Sequence, residues 1–280
     1  IIQSHILSWQ NIPKNGDPIN IVTSVEGQRL FCKITEQSVP LMKICTVYNG
    51  VKPFEKGKGN PPQTDQIMKE KPYVREGTQP DSTWKPLLRG SLIHRYNNLW
   101  NNDYWILYGQ WLAAPRDPSI FEAPEKIMAR QTGDSIIATL VEKGFIARNN
   151  LHIILPLNVD YNLKYVLGIM NSRLIDFAYT FMNPEKGEAL AEVKKKHVEQ
   201  LPIRTINFSN PSDRSRHDKM VELVERMLDL HKQLQAAKTP QAQTLLKRQI
   251  EATDRQIDRL VYDLYDLTEE EIAIVEEQQA

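Results

Sequence analysis

The sequence predicts an α+β protein: a β-rich mixed-sheet domain followed by a carboxy-terminal, coiled-coil-like helical hairpin. Three stretches carry that prediction. Residues 120–156 hold three short strands, Glu125 to Arg130, Ser135 to Val141 and Leu151 to Leu155. They are rich in β-branched residues and separated by the turn pairs Gly133-Asp134 and Lys143-Gly144. From Leu163 to Met182 the apolar residues switch to helical spacing, at 163, 166, 167, 170, 174, 177, 178 and 181. Beyond residue 218, Met220, Leu223, Met227, Leu230 and Leu234 recur in steps of three and four, and Leu246, Ile250, Thr253, Ile257, Leu260, Leu264 and Leu267 do so again. Lys238-Thr239-Pro240 breaks the two runs, which makes them the arms of an antiparallel hairpin or short coiled coil.

Taken in order, residues 1–37 read as a connecting segment with strands at Ile19 to Val25 and Arg29 to Ile34. A strand is expected from Val39 to Val47, closed by a turn at Asn49-Gly50, since Asn-Gly is a strong turn signal. Lys52 to Gln63 (KPFEKGKGNPPQ) has no periodicity and is a loop. Within Thr83 to Tyr96, Trp84, Leu87 and Leu88 face inward, while Arg89, His94, Arg95 and Tyr96 offer charge and stacking surface. A further strand is expected over Trp105 to Tyr108, then a turn at Pro115 to Pro118. The helix over Leu163 to Met182 is capped by Asn162 or Asp160 and ended by Asn183-Pro184, and a shorter one runs from Ala189 to Glu199. Leu201-Pro202-Ile203 closes a β-rich domain spanning 38–203, residues 204–217 form a linker, and 218–280 form a helical spacer or docking hairpin. Thr268 to Glu271 is a capping box for a last helix, Glu269 to Glu277. On this division, removing 218–280 leaves the β-rich part folded.

Composition bounds the function. With 280 residues the chain is long enough for a sizeable core. It opens at Ile1 without an initiator Met and is read as a piece of a longer protein; neither a secretion signal nor an apolar run of membrane-spanning length is present in the sequence, so a cytoplasmic location is expected. Cys32 and Cys45 are too few for a disulfide framework and form no CxxC pair. The net charge is zero, but residues 1–150 carry 18 Lys/Arg against 14 Asp/Glu and residues 151–280 carry 17 against 21. A mildly basic front on an acidic helical support suits a surface that meets DNA.

Catalytic signatures fail on inspection. Asn60-Pro61-Pro62 is followed by Gln63 where an amino-methyltransferase motif needs an aromatic to stack on a flipped base, and no glycine-rich cofactor turn precedes it. Pro80-Asp81 and Glu192-Val193-Lys194 lie too far apart, with the second part on an expected helix, to form a metal-dependent nuclease site. The six histidines are scattered, and no GxSxG, HExxH or Walker motif occurs. The chain shows no catalytic site and no cofactor or metal site of its own.

Several segments together resemble one family. GVKPFEKGKGNPPQT, WKPLLRGSLIHRY, EKIMARQTGDSIIATLVEKGFIARNNLHIILP, YVLGIMNSRLIDFAY and LVYDLYDLTEEEIAIVEE are similar, in this order over about residues 38–275, to the TaqI-like carboxy-terminal specificity domain of type IIG restriction–modification enzymes and related adenine-specific DNA methyltransferases. The resemblance implies a target-recognition domain for double-stranded DNA. It also implies upstream methyltransferase or nuclease domains of the same polypeptide, using S-adenosylmethionine and Mg2+, and a helical tail that acts as a spacer.

Base-reading residues diverge within such a family, so the candidates here rest on side-chain chemistry. Lys52, Lys56, Lys58, Arg89 and Arg95 suit phosphate contact. Arg130, Gln131, Asn149, Asn60 and Gln63 suit base edges, because Arg pairs bidentately with guanine and Asn or Gln with adenine. Arg130-Gln131-Thr132-Gly133 belongs to the shared pattern, which favours a scaffold role or a general DNA contact there. Two other readings stay open: the specificity part of a nuclease-free phage-defence methyltransferase, and a protein-interaction module built on the helices.

Overall fold

Apolar residues fall on both parities of the strands between 125 and 155, which calls for a sheet covered on both faces. The computed structural model describes residues 24–158, 161–183 and 191–277. Its first half contains α1 (Val25–Glu36), β1 (Val39–Pro40), β2 (Cys45–Asn49), α2 (Asp65–Glu70), β3 (Val74–Glu76), β4 (Lys85–Leu88), β5 (Ile93–His94), β6 (Asn97–Asn98) and β7 (Tyr104–Ile106). Then come α3 (Ser119–Glu122), β8 (Glu125–Arg130), β9 (Ala138–Glu142), β10 (Ile146–Ala147) and β11 (Leu151–Pro156). The helical part holds α4 (Leu163–Met170), α5 (Arg173–Met182), α6 (Lys195–Glu199), α7 (Pro211–Ala236), α8 (Pro240–Leu264) and α9 (Glu269–Glu277), with β12 (Pro202–Ile203) between α6 and α7.

The central sheet has the order β2-β11-β8-β9 and is antiparallel throughout. One face presents Val47, Ile127, Ala129, Ala138 and Ile154 to a core shared with α1, α4, α5 and the hairpin. The other presents Met128, Val141, Leu151 and Ile153 to a second core with Leu87, Leu88, Tyr104, Ile106 and Phe121. That second core is covered by the mixed sheet β10-β4-β7-β3, in which β10 and β4 run parallel. The fold is therefore α+β with several small sheets and a carboxy-terminal hairpin, as expected.

Local expectations fare unevenly. Residues 29–34 are helical, because Ser24 accepts a hydrogen bond from the Gly27 amide and Leu30 and Ile34 share one buried helical face. The Ile19 to Val25 strand lies almost wholly outside the described residues, and Val25 opens α1. The strand expected over 39–47 is interrupted by a 3-10 turn at Leu41–Lys43 after Pro40. Asn49-Gly50 makes no hairpin turn. The chain runs on past it, the Gly50 amide donating to the Leu151 carbonyl at 3.0 Å and the Val51 amide to that of Ala147 at 2.7 Å. Glycine is required by approach: a Cβ on residue 50 would meet the Arg148 carbonyl oxygen at 2.2 Å.

The single helix expected over 163–182 is two helices. Ser172 caps the second by accepting from the Ile175 amide, and the Asn171 side chain brackets Ala138 of β9. It accepts from the Ala138 amide at 3.1 Å and donates to its carbonyl at 2.9 Å, so the break pins the helix pair to the sheet. Of the helix expected over 189–199, residues 189–190 lie outside the described residues, Lys195–Glu199 is helical, and Glu192 bridges Thr132. The linker is shorter than expected, since Asn210 caps α7 and Pro211 begins it. The capping box before α9 is present as read, with Thr268 N to Glu271 Oε2 at 2.8 Å and Glu271 N to Thr268 Oγ1 at 3.3 Å.

The hairpin is antiparallel, α7 packing along α8 and resting on α4 and α5. Met220, Leu223, Val224, Met227, Ile257, Val261, Tyr262, Leu264 and Tyr265 all belong to the core of the central sheet and are no more than 3 % exposed. Beyond Leu230 the arms leave that core: Lys232, Lys238, Leu245 and Lys247 are exposed.

Candidate nucleic-acid interface

β2, β8 and β11 present their ends at one edge of the central sheet, where Asn49 pairs with His152 and Arg130 with Leu151. Loops converge on that edge through backbone contacts. The Gln131 amide donates to the Asn150 carbonyl at 3.0 Å, and the Arg148 amide to that of Leu88 at 2.8 Å. The Gly90 amide donates to Asn150 Oδ1 at 3.2 Å. Segment 191–193 zips onto the same place, with Gly133 N to Ala191 O at 3.1 Å and Val193 N to Gln131 O at 2.7 Å. Buried His152 fastens it from below, one ring nitrogen 2.7 Å from the Val193 carbonyl and the other 3.1 Å from Asn49 Oδ1. Burial holds this imidazole below the usual histidine range, so it is neutral at physiological pH.

The result is a rim of polar side chains on a rigid base. Arg130, Gln131, Thr132, Arg148, Asn149 and Asn150 sit there, all at least partly exposed. Arg89 joins them, its guanidinium 4.7 Å from the centroid of the Tyr104 ring. Arg148 Nη1 donates to the Tyr104 hydroxyl at 2.9 Å, so one tyrosine backs two arginines. Arg116 reaches the same edge, its Nε donating to the Gly50 carbonyl at 3.1 Å. Among the described residues, Arg116, Arg130 and Arg148 have no carboxylate within ion-pair distance, whereas Arg89 lies 3.1 Å from Glu76. Arg116 and Arg148 were not among the sequence candidates. The signal for Arg148 lay in Arg148-Asn149-Asn150, an unbroken polar run between two apolar strands; Arg116, near a proline turn, carried none.

The lysine loop lies beside this rim, joined to it by the Lys52–Ala114 bridge and by Arg116. Its shape is set from within. Gly59 has a positive φ of 89° and approaches the Trp111 carbonyl closely, and Asn60–Pro61 is cis. Gln63 is only 2 % exposed. It donates to the carbonyls of Pro53 and Trp111, both at 2.8 Å, and accepts from the Glu55 amide at 2.9 Å. Its amide closes the loop, a structural role that takes it away from a ligand. Asn60 stays exposed. Lys52 is paired with Glu55 and Lys56 with Asp65, each at 2.7 Å, while Lys58 is exposed with no carboxylate at that distance among the described residues.

Arg95 is placed away from the rim. It grips Asp254 of α8 with two hydrogen bonds of 3.0 and 2.7 Å and the Asn171 carbonyl at 2.7 Å, so it docks the hairpin. One turn further along α8, Asp258 is 4 % exposed and accepts from the Arg173 amide at 2.9 Å, capping α5 from a neighbouring helix. Burial pushes its carboxyl up to about 6. A raised carboxyl pKa makes the fold most stable below the unfolded value, and stability is lost as pH rises from about 4 to 6. Asp258→Asn is expected to remove that slope and to be more stable by about 2 kcal/mol above pH 6. Urea unfolding of both proteins at a series of pH values checks this; parallel curves would refute it.

Among the described residues, no three His, Cys, Asp or Glu side chains converge as a metal site, and no helix is long and apolar enough to cross a membrane.

Residues 85–203, which include most of the rim, match the TaqI-like C-terminal specificity domain. A curated relative, the type II restriction enzyme and methyltransferase RM.Eco57I of Escherichia coli, is 29% identical over 142 residues, covering 50% of this chain and 14% of its own length. The chain thus matches only a small part of that relative. Among solved structures, the type IIL restriction-modification enzyme MmeI in complex with DNA shares the fold, with a TM-score of 0.52 at 11% identity over 85% of this chain and 35% of MmeI. The type IIG restriction endonuclease BpuSI gives 0.45 at 13% identity over 87% and 34%. Over residues 85–203 the chain thus matches the TaqI-like C-terminal specificity domain, and the relatives that share its sequence or fold are restriction-modification enzymes.

Proposed function

We propose that this chain binds duplex DNA along the rim of its central sheet and selects the sequence on which the rest of its parent protein acts. The observation that carries this reading is the coincidence of the family match at 85–203 with an edge bearing three arginines that have no carboxylate partner among the described residues. Guanidinium groups of this kind position phosphates and, when they reach a groove, read guanine. The polar run Asn149-Asn150 and the side chain of Gln131 supply amides next to them. The parent is read as an adenine-specific DNA methyltransferase, with or without a nuclease. In that reading the bound module holds a target adenine for a methyltransferase domain outside this chain to flip and modify. S-adenosylmethionine and Mg2+ belong to those other domains, and the cytoplasm is the expected location.

The test is binding of a labelled duplex by the intact chain over a range of salt. Affinity is expected to fall steeply with salt, because each neutralised phosphate releases a condensed counterion, about 0.9 unit of log–log slope per contact. Changing Lys52, Lys56 and Lys58 to Ala should weaken all duplexes alike. The slope should flatten by about one unit and not three, since two of these lysines already have acidic partners. An unchanged slope would remove the loop from the interface, and salt-independent or absent binding would remove the proposal.

A further inference from the structure

Arg89 and Glu76 form a pair that phosphate contact leaves unexplained. Glu76 is the Cα partner of Tyr104 across β3 and β7, and the Arg89 guanidinium lies over the ring of that same tyrosine. Arg89 Nη1 donates to Glu76 Oε1 at 3.1 Å. The following residue is fixed as well, because the Gly90 amide is bonded to the Asn150 side chain. Tyr104 is in turn held by Arg148 through its hydroxyl. The two charged side chains are therefore positioned from below and open above, 40% exposed for the arginine and 70% for the glutamate. An exposed pair of this kind adds little to stability, and a carboxylate on a rim that meets phosphates is electrostatically costly unless it contacts something other than phosphate.

We infer that Arg89 and Glu76 read one G·C base pair in the major groove, Arg89 donating to guanine O6 and N7 and Glu76 accepting from the cytosine N4 amino group. The inference rests on the duplex-DNA reading above and names the base pair that one part of that site takes. A guanidinium has five N–H donors, so it bonds a base and keeps its glutamate. Side by side, the pair offers donor, donor, acceptor. In the major groove a G·C pair offers acceptor, acceptor, donor across N7, O6 and N4. An A·T pair offers acceptor, donor, acceptor and then a methyl group, so the second donor of Arg89 would face the adenine amino group and Glu76 would face thymine O4. The order of the two side chains also fixes which strand carries the guanine.

The experiment is selection from a randomised duplex library by the full chain, in wild type, Arg89→Ala and Glu76→Gln, with thermal melting to confirm that each folds. Glu76 is well exposed and its substitution leaves no buried partner, so that variant keeps the test valid if Arg89→Ala is unstable. The wild type is expected to enrich a motif holding G·C at one position with a preference of about tenfold or more. Both variants should relax that position alone. A motif unchanged at every position in the variants, or uniform weakening without relaxation at one position, would overturn the pair while leaving DNA recognition intact. No enriched motif in the wild type would remove sequence recognition itself, and this pair with it.

Discussion

Removal of residues 218–280 is expected to abolish cooperative unfolding of the whole chain. The sequence pattern suggested a detachable hairpin, because the apolar seam between the two arms accounts for its own helices. The structure gives those arms a second job. Met220, Leu223, Val224 and Met227 of α7, and Ile257, Val261, Tyr262 and Leu264 of α8, are buried in the core that covers one face of the central sheet. Gly168 of α4 lies so close to α7 that a Cβ there would meet Met220 Sδ at 2.5 Å. Tyr265 donates to the Pro202 carbonyl at 2.7 Å and accepts from the Arg204 amide at 2.9 Å, tying the end of α8 to β12. Truncating one large core side chain costs about 2–5 kcal/mol. Whole domains are stable by only roughly 5–15 kcal/mol. Losing eight such side chains leaves the α4 and α5 surface bare and the fold unsupported. Circular dichroism and urea unfolding of residues 1–217 check this, and a sharp transition near that of the full chain would show the hairpin to be separable after all. Shortening only the distal arms, where Leu245 is 58% exposed, should cost far less.

Replacing Arg116, Arg130 and Arg148 together by Ala is expected to lower duplex affinity by about two orders of magnitude at moderate salt and to flatten the salt slope by about three units. None of the three has a carboxylate partner among the described residues, so each charge is available to DNA at little cost in lost ion pairs. Their backbones are held by the sheet and its loops, so the cost to folding should be limited to the lost hydrogen bonds of Arg148 to Tyr104 and Arg116 to Gly50, about 1 kcal/mol each. Equilibrium binding with melting controls separates the two effects. An unaltered affinity would place the DNA elsewhere on the molecule.

The central sheet was legible because its strands are rich in β-branched residues and bounded by turn pairs, and the hairpin because its seam runs for many turns. What the sequence hid lies in contacts between distant segments. Asn171 as a clip on Ala138 and Gly50 against Arg148 are each fixed by a partner far along the chain, and no local pattern announces them. The same holds for the candidate residues. Arg89, Arg130, Gln131 and Asn149 gather on one rim, with Lys58 and Asn60 on the adjoining loop. Gln63 and Arg95 are polar residues used by the fold itself, one closing a loop and the other docking a helix. Composition alone cannot separate an arginine that waits for a phosphate from one already holding Asp254.

The measurement that bears most directly on the central claim is sequencing-based detection of modified bases in DNA from a host expressing the full-length parent, with a host lacking the gene as control. One asymmetric motif carrying methylated adenine is the predicted result, and it would supply the duplex for every binding test above. Unmodified DNA from a host in which the parent is well expressed would contradict the account and shift weight to a protein-interaction role for the helices.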